Sequence, residues 1–149
     1  MGNKISYNKV LPVIGSIFLI LLGTHFMGQF FMGIYTQSDP LFLVWLKFLG
    51  MVMFLHGTFT LIKNVITIHP AIQFWGKNVI DAFYIILLVW LHRHAGVIPV
   101  LSMNNAQPTI MANNDRVQLL LQWIIISFIV LIVIDMSISI YTNLIKDEK

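Results

Sequence analysis

Four long apolar segments occupy most of this 149-residue chain, and each is about as long as a lipid bilayer is thick. They cover residues 10–35, 41–63, 78–100 and 117–142. A helix that rises ~1.5 Å per residue needs roughly 20 apolar residues to cross a hydrocarbon core of ~30 Å. The sequence therefore predicts an all-α membrane protein, a four-transmembrane-helix bundle that forms a single transmembrane domain over residues 1–149.

The composition indicates that lipid is the main solvent of the folded chain. Hydrophobic residues make up 58% of the sequence and charged residues only 10%, whereas soluble domains usually carry about 25% charged residues. So few charges cannot cover a water-facing surface, and membrane lipids are therefore an expected partner. The sequence has no basic patch of the size that nucleic-acid-binding proteins use, so we expect no nucleic-acid partner.

The lysines indicate an orientation in the membrane. Apart from Lys47, they lie near the termini or between the second and third apolar segments, at Lys4, Lys9, Lys63, Lys77, Lys146 and Lys149. Cytoplasmic connections of membrane proteins carry an excess of Lys and Arg. We therefore expect both termini and the connection over residues 64–77 in the cytoplasm, in a multi-pass protein of a plasma or inner membrane.

The connections between the apolar segments are predicted to be short and irregular. Residues 37–40 have the composition of a tight turn. Residues 64–77 contain a His-Pro break followed by an apolar stripe, which indicates a segment along the membrane interface with Trp75 in the aromatic belt. Residues 102–116 are rich in Asn, Gln and Pro, a composition typical of a loop or short lid.

The chain contains no cysteine. This composition excludes disulfides, thiolate nucleophiles, iron–sulfur ligation and the covalent attachment of c-type haem. No other reaction motif is present, so we assign no catalytic residue and expect no enzymatic activity of the chain on its own.

Polar side chains within the predicted spans fall into two layers along the membrane normal. The helical rise places one layer near the outer surface, at His25, Gln29, His92 and Gln122. It places the other near the cytoplasmic surface, at His56, Asp81 and Asp135. Polar groups inside a bilayer are costly and usually face a partner, a cavity or a ligand. Both layers are therefore candidate sites.

Helical spacing predicts which of these residues share a face. The third span has one face that joins the two layers, formed by Asp81, Tyr84, Leu88 and His92. On the second span, Gly50 and Gly57 are a heptad apart, which permits the close approach of a neighbouring helix.

His25 and His92 lie at nearly the same depth on different spans. Two such imidazoles can ligate a b-type haem or a metal, or border a quinone, with Gln29 as a donor beside them. His56 is the corresponding cofactor-binding candidate of the inner layer. The alternative is that these side chains form hydrogen bonds across a packed bundle without any cofactor. If His25 and His92 share a ligand, their rings must converge on one cavity.

Methionines beside the histidines also suggest copper. Met27 follows His25 closely, Met53 precedes His56, and thioether and imidazole ligands suit Cu(I). Methionine in apolar helices more often fills gaps in the packing. Copper is therefore the weaker hypothesis beside haem b, and the identity of any metal stays open.

The two carboxylates of the inner layer need partners in a lipid environment. Asp81 lies about one helical turn from Lys77, and we expect the two to pair. For Asp135 we expect His56 as the first partner and a residue of another subunit as the second.

The leading functional hypothesis is a small non-catalytic integral-membrane subunit of a larger membrane complex, a respiratory or oxidase-type assembly. Other integral-membrane subunits would then be its partners. The first alternative is a haem b or quinone-binding membrane anchor in electron transfer, in which the inner layer relays protons. The second is a small transporter or channel, but the gap between the two polar layers argues against a continuous polar path.

Overall fold

A computed structural model describes residues 7–28, 40–95, 100–104, 107–111 and 115–147, with side chains over 10–28, 40–95 and 116–143. Its helices are α1 (Tyr7–Met27), α2 (Pro40–Val65), α3 (Pro70–Arg93) and α4 (Asp115–Asp147). Each is long and apolar enough to cross a membrane, over Val10–Met27, Pro40–Val65, Pro70–Arg93 and Arg116–Asn143. The prediction of four transmembrane helices is confirmed.

The helices α1 and α2 pack at very close range through small residues. A Cβ atom built on Gly23 would lie 2.6 Å from the carbonyl oxygen of Gly50, and one built on Gly57 would lie 2.6 Å from that of Ser16. Any side chain at these positions would therefore force the two backbones apart. The predicted close approach at Gly50 and Gly57 is confirmed, and such small-residue contacts are a common basis of helix association in lipid.

The main apolar core lies where α2, α3 and α4 meet. Its buried members are Phe42, Trp45, Leu46, Leu91 and Ile125. Phe26 of α1 packs against this cluster, so all four helices contribute to it. The indole Nε1 of Trp45 donates a hydrogen bond of 2.9 Å to the carbonyl oxygen of Leu87, which ties α2 to α3 inside the apolar region.

Helix α3 begins earlier than the sequence predicted. We expected the third span over residues 78–100, but α3 runs over Pro70–Arg93. Pro70 stands at the start of the helix, where its missing N–H costs nothing, and Nδ1 of His69 accepts the N–H of Ala71 at 3.3 Å. The His-Pro pair is therefore the start of the span rather than a break within an interfacial segment.

The connection between α3 and α4 contains a β-hairpin where we expected a loop or short lid. Strand β1 (Val100–Asn104) pairs antiparallel with β2 (Gln107–Met111), from Val100 opposite Met111 to Asn104 opposite Gln107. Only two residues separate the strands, a length that suits the tight closure of an antiparallel pair. The pairing satisfies backbone groups that an irregular loop would leave to water.

The helices alternate in direction, so the molecule has two ends. We call the end that carries β1 and β2 the hairpin end, and the other, where α1 begins and α4 finishes, the terminal end. The hairpin end corresponds to the predicted outer layer and the terminal end to the predicted inner layer. That the terminal end faces the cytoplasm stays a prediction.

Candidate functional site

The polar side chains of the terminal half are arranged along one face of α3. Lys77, Asp81 and Tyr84 follow a spacing that keeps them on one side of the helix. His56 of α2 contacts this face at Tyr84, and Asp135 of α4 contacts it at Lys77. We call these five residues the polar strip.

Lys77 is the centre of the polar strip. Its Nζ donates to Oδ2 of Asp81 at 2.9 Å and to Oδ2 of Asp135 at 2.6 Å. The pairing of Lys77 with Asp81 confirms the expectation from the sequence. The second ion pair joins α3 to α4 across 58 positions of the chain. Lys77 therefore connects two spans in addition to forming an ion pair within its own helix.

The two carboxylates of the polar strip differ in exposure. The Asp81 side chain is 14% exposed, that of Lys77 39% and that of Asp135 64%. When all three are ionised, one cation faces two anions, and the group carries one net negative charge. An unbalanced charge is expensive in lipid, so the exposed Asp135 carboxylate is the part of the strip that is open to a further partner.

His56 contacts Tyr84 rather than Asp135. Its Nδ1 lies 3.4 Å from the Tyr84 hydroxyl, and the two rings meet edge to face with centroids 5.8 Å apart. The expectation that Asp135 pairs first with His56 is therefore wrong. The long, flexible side chain of Lys77 reaches across to α4 and takes the position that we had assigned to the shorter imidazole.

The histidines of the hairpin end lie in the last turns of α1 and α3. The His25 ring is 6.4 Å from that of Phe26 and tilted against it. Nδ1 of His92 is buried and has no hydrogen-bond partner among the residues that the structure describes. Gln29 lies outside the described residues. The shared ligand of His25 and His92, and a cofactor role of His56 or Gln29, therefore stay predictions.

A groove between α3 and α4 was not visible in the sequence. It has a volume of about 720 Å³ and lies at the terminal end, lined by Trp75 and Asn78 of α3 and by Met136, Ile140 and Asn143 of α4, among others. Its walls are mainly apolar, which suits a lipid acyl chain. No sequence signal could have located it, because its shape depends on the offset between two helices.

Asn78 is the most buried polar residue of the groove wall, at 7% exposure. Its Nδ2 donates to the carbonyl oxygen of Phe74 at 2.8 Å. Its Oδ1 has no hydrogen-bond partner in the described part of the chain. The side-chain amide of Asn78 thus donates its hydrogen bond within α3. This bond explains how a polar residue that we expected at the start of the span is accommodated inside the helix.

The described residues contain no group of three or more His, Asp or Glu side chains placed to hold a metal ion. Comparison with known proteins gives no match to a family model, to a curated protein or to a solved structure. The function therefore has to be inferred from the side chains of this chain.

Proposed function

We propose that this protein is a small non-catalytic integral-membrane subunit of a larger membrane complex, of respiratory or oxidase type. The observation that carries the proposal is the surface of α4. Within the span Arg116–Asn143, Ile125 is the one buried residue. A helix of 33 residues that packs mainly along α3 leaves most of its circumference open to lipid or to another subunit.

The use of the polar groups also supports a structural role. Lys77 joins α3 to α4, and the Trp45 indole joins α2 to α3. Because lipid provides no hydrophobic drive between helices, close packing and interhelical hydrogen bonds hold such bundles together. Side chains that tie spans to each other are what a scaffold or sealing subunit requires.

The proposal is tested by purification of the tagged chain from its own membranes in a mild detergent. We expect larger integral-membrane polypeptides to co-purify in fixed ratio. Replacing two outward residues of α4, Leu131→Ala with Ile138→Ala, should reduce their recovery, because both side chains are exposed and would lose contacts with a partner. Leu55→Ala, at an exposed position of α2, is the matched control and should leave recovery unchanged.

A haem b or quinone-binding anchor is the second candidate. It is supported by the buried Nδ1 of His92, since a buried ring nitrogen without a hydrogen bond is costly unless another group completes it. A visible spectrum of the purified protein tests this alternative. A Soret band that disappears in both His25→Ala and His92→Ala would support haem ligation, and a colourless protein would exclude haem.

A further inference from the structure

The β-hairpin between α3 and α4 has one apolar and one polar face. Successive residues of a strand alternate between the two faces of a sheet, and residues paired across the ladder share a face. The register pairs Leu101 with Ile110 and Met103 with Pro108, so these four apolar residues belong to one face, which we call the apolar hairpin face. The opposite face has Val100 and Met111 at its base and then Ser102, Thr109, Asn104 and Gln107.

The hairpin belongs to a segment without ionisable side chains. Residues 95–114 include both strands and contain no Asp, Glu, Lys, Arg or His. Arg93 at the end of α3 and Arg116 at the start of α4 flank this segment, and both are exposed. Long basic side chains near the ends of membrane spans extend toward the lipid headgroups. The uncharged segment therefore starts and ends at the headgroup level of the bilayer.

A short connection keeps the base of the hairpin near the bilayer surface. Only residues 112–114 lie between Met111, the last residue of β2, and Asp115, where α4 begins. Because an extended chain covers at most ~3.6 Å per residue, Met111 lies within ~14 Å of the start of α4. Strands of this length extend for ~17 Å. The hairpin can therefore reach the headgroups along its whole length if it lies flat on the membrane.

The helices do not provide a packing surface for the hairpin. Among the elements that the structure describes, β1 and β2 pair with each other, and neither makes an extensive close contact with a helix. A two-stranded hairpin is marginally stable in water by itself, and it needs a further strand or a packed apolar face for stability. The apolar hairpin face therefore requires an apolar surface outside the four helices.

We propose that the hairpin lies flat on the bilayer surface, with its apolar face in contact with lipid at the boundary between headgroups and acyl chains. The backbone sets the depth of this contact. In a two-stranded sheet, each strand has an outer edge whose N–H and C=O groups are not paired in the ladder. Open sheet edges do not occur in the hydrocarbon core, whereas water in the headgroup region satisfies them. The hairpin is thus a shallow surface anchor between α3 and α4.

Lipid fits the apolar hairpin face better than a second polypeptide does. The hairpin connects two helices that are long and apolar enough to cross a membrane, so the bilayer surface is always within its reach. The residue types of this face, Leu, Met, Pro and Ile, have no charge and no hydrogen-bonding group that would orient a protein partner. The residues of the opposite face are mainly Ser, Thr, Asn and Gln, which suit contact with water.

Fluorescence quenching in lipid vesicles tests the proposal, and the chain has no native cysteine to interfere with labelling. Met103→Cys and the matched control Asn104→Cys are neighbours on opposite faces of β1. Each full-length variant is labelled with an NBD fluorophore and reconstituted in phosphatidylcholine vesicles. We expect a nitroxide lipid with its quencher near the headgroup to quench the Met103 label several-fold more than the Asn104 label, and iodide in the water to do the reverse. Equal quenching of the two labels, or protection of the Met103 label from both quenchers, would overturn the proposal.

Exchange of cross-strand pairs tests whether the apolar residues hold the hairpin on the membrane. Leu101→Ser with Ile110→Ser, made in the labelled Met103→Cys chain, should reduce quenching by the headgroup nitroxide several-fold, because less apolar surface gains contact with lipid. Ser102→Ala with Thr109→Ala, a pair on the opposite face, is the matched control and should leave quenching unchanged. Equal quenching in the two double variants would contradict the proposal. The surface anchor does not rest on the proposed accessory function, since these vesicles contain no other polypeptide.

Discussion

Lys77 of α3 and Asp135 of α4 form an ion pair of 2.6 Å between two helices that are long and apolar enough to span a membrane. Lys77 also holds Asp81 at 2.9 Å, so a single ammonium group serves two carboxylates. The three residues therefore differ in what their loss does to the charge balance. Loss of Lys77 leaves two anions, whereas loss of Asp135 leaves the neutral pair of Lys77 and Asp81.

Substitutions in this group should therefore differ strongly in effect. Lys77→Met should destabilise the folded state by about 3 kcal/mol, because it leaves the largely buried Asp81 carboxylate without its counter-ion. Asp135→Leu should cost only about 1 kcal/mol, since the Asp135 side chain is mostly exposed and Lys77 keeps Asp81. Unfolding in mixed detergent micelles, followed by tryptophan fluorescence, measures both. Equal losses would show that the three residues do not share charge as described.

The glycines between α1 and α2 provide a test of packing. Gly57→Ala should destabilise the protein by about 2 kcal/mol, because the new methyl group would lie 2.6 Å from the Ser16 carbonyl oxygen. Gly15→Ala is the matched control on α1, where no atom of the described residues lies within 4 Å of the added atom. The control should be neutral or slightly stabilising, since Ala favours the helix. Thermal unfolding in detergent compares the two, and similar melting temperatures would contradict the close contact.

The indole of Trp45 should contribute to stability through its hydrogen bond as well as through burial. Trp45→Phe removes the donor to the Leu87 carbonyl oxygen and should cost about 1 kcal/mol beyond the loss of apolar area. Trp75→Phe serves as the comparison, because Trp75 is 65% exposed. Denaturant titration of both variants gives the difference. A Trp45 variant as stable as the Trp75 variant would exclude a structural role for the bond.

The orientation predicted from the lysines is tested by labelling. Asn105→Cys should react with a membrane-impermeant maleimide added to intact cells, whereas Lys149→Cys should react only after the membrane is opened. The absence of native cysteine removes background labelling. The reverse pattern would place both termini outside, without changing which residues meet at the polar strip.

The sequence predicted features that depend on one helix at a time. Hydropathy located the four spans, and the heptad of Gly50 and Gly57 indicated the surface that packs against α1. Features that depend on the relative position of two helices were harder to predict from the sequence. The residues Lys77 and Asn78 suggested the end of a polar connection, but Lys77 is neutralised by two carboxylates and Asn78 donates to its own helix. The start of α3 was therefore placed eight residues too late.

The partner of Asp135 could not be chosen from depth alone. His56 and Lys77 both lie in the same half of the membrane, and the choice depends on which side chain extends across the α3 and α4 contact. The hairpin of β1 and β2 was missed because its sequence is rich in residues typical of loops, with Pro108 in the second strand. The groove at Trp75 and Asn78 depends on helix offset, for which a single sequence carries no signal.

The role as a subunit of a larger complex is tested most directly by the native mass of the tagged chain after gentle extraction from its own membranes. Native electrophoresis followed by mass spectrometry of the band should show the chain in an assembly several times its own 17.1 kDa, together with larger integral-membrane polypeptides in constant ratio. The chain migrating alone, or only with further copies of itself, under conditions that preserve known membrane complexes of the same cells, would contradict the account.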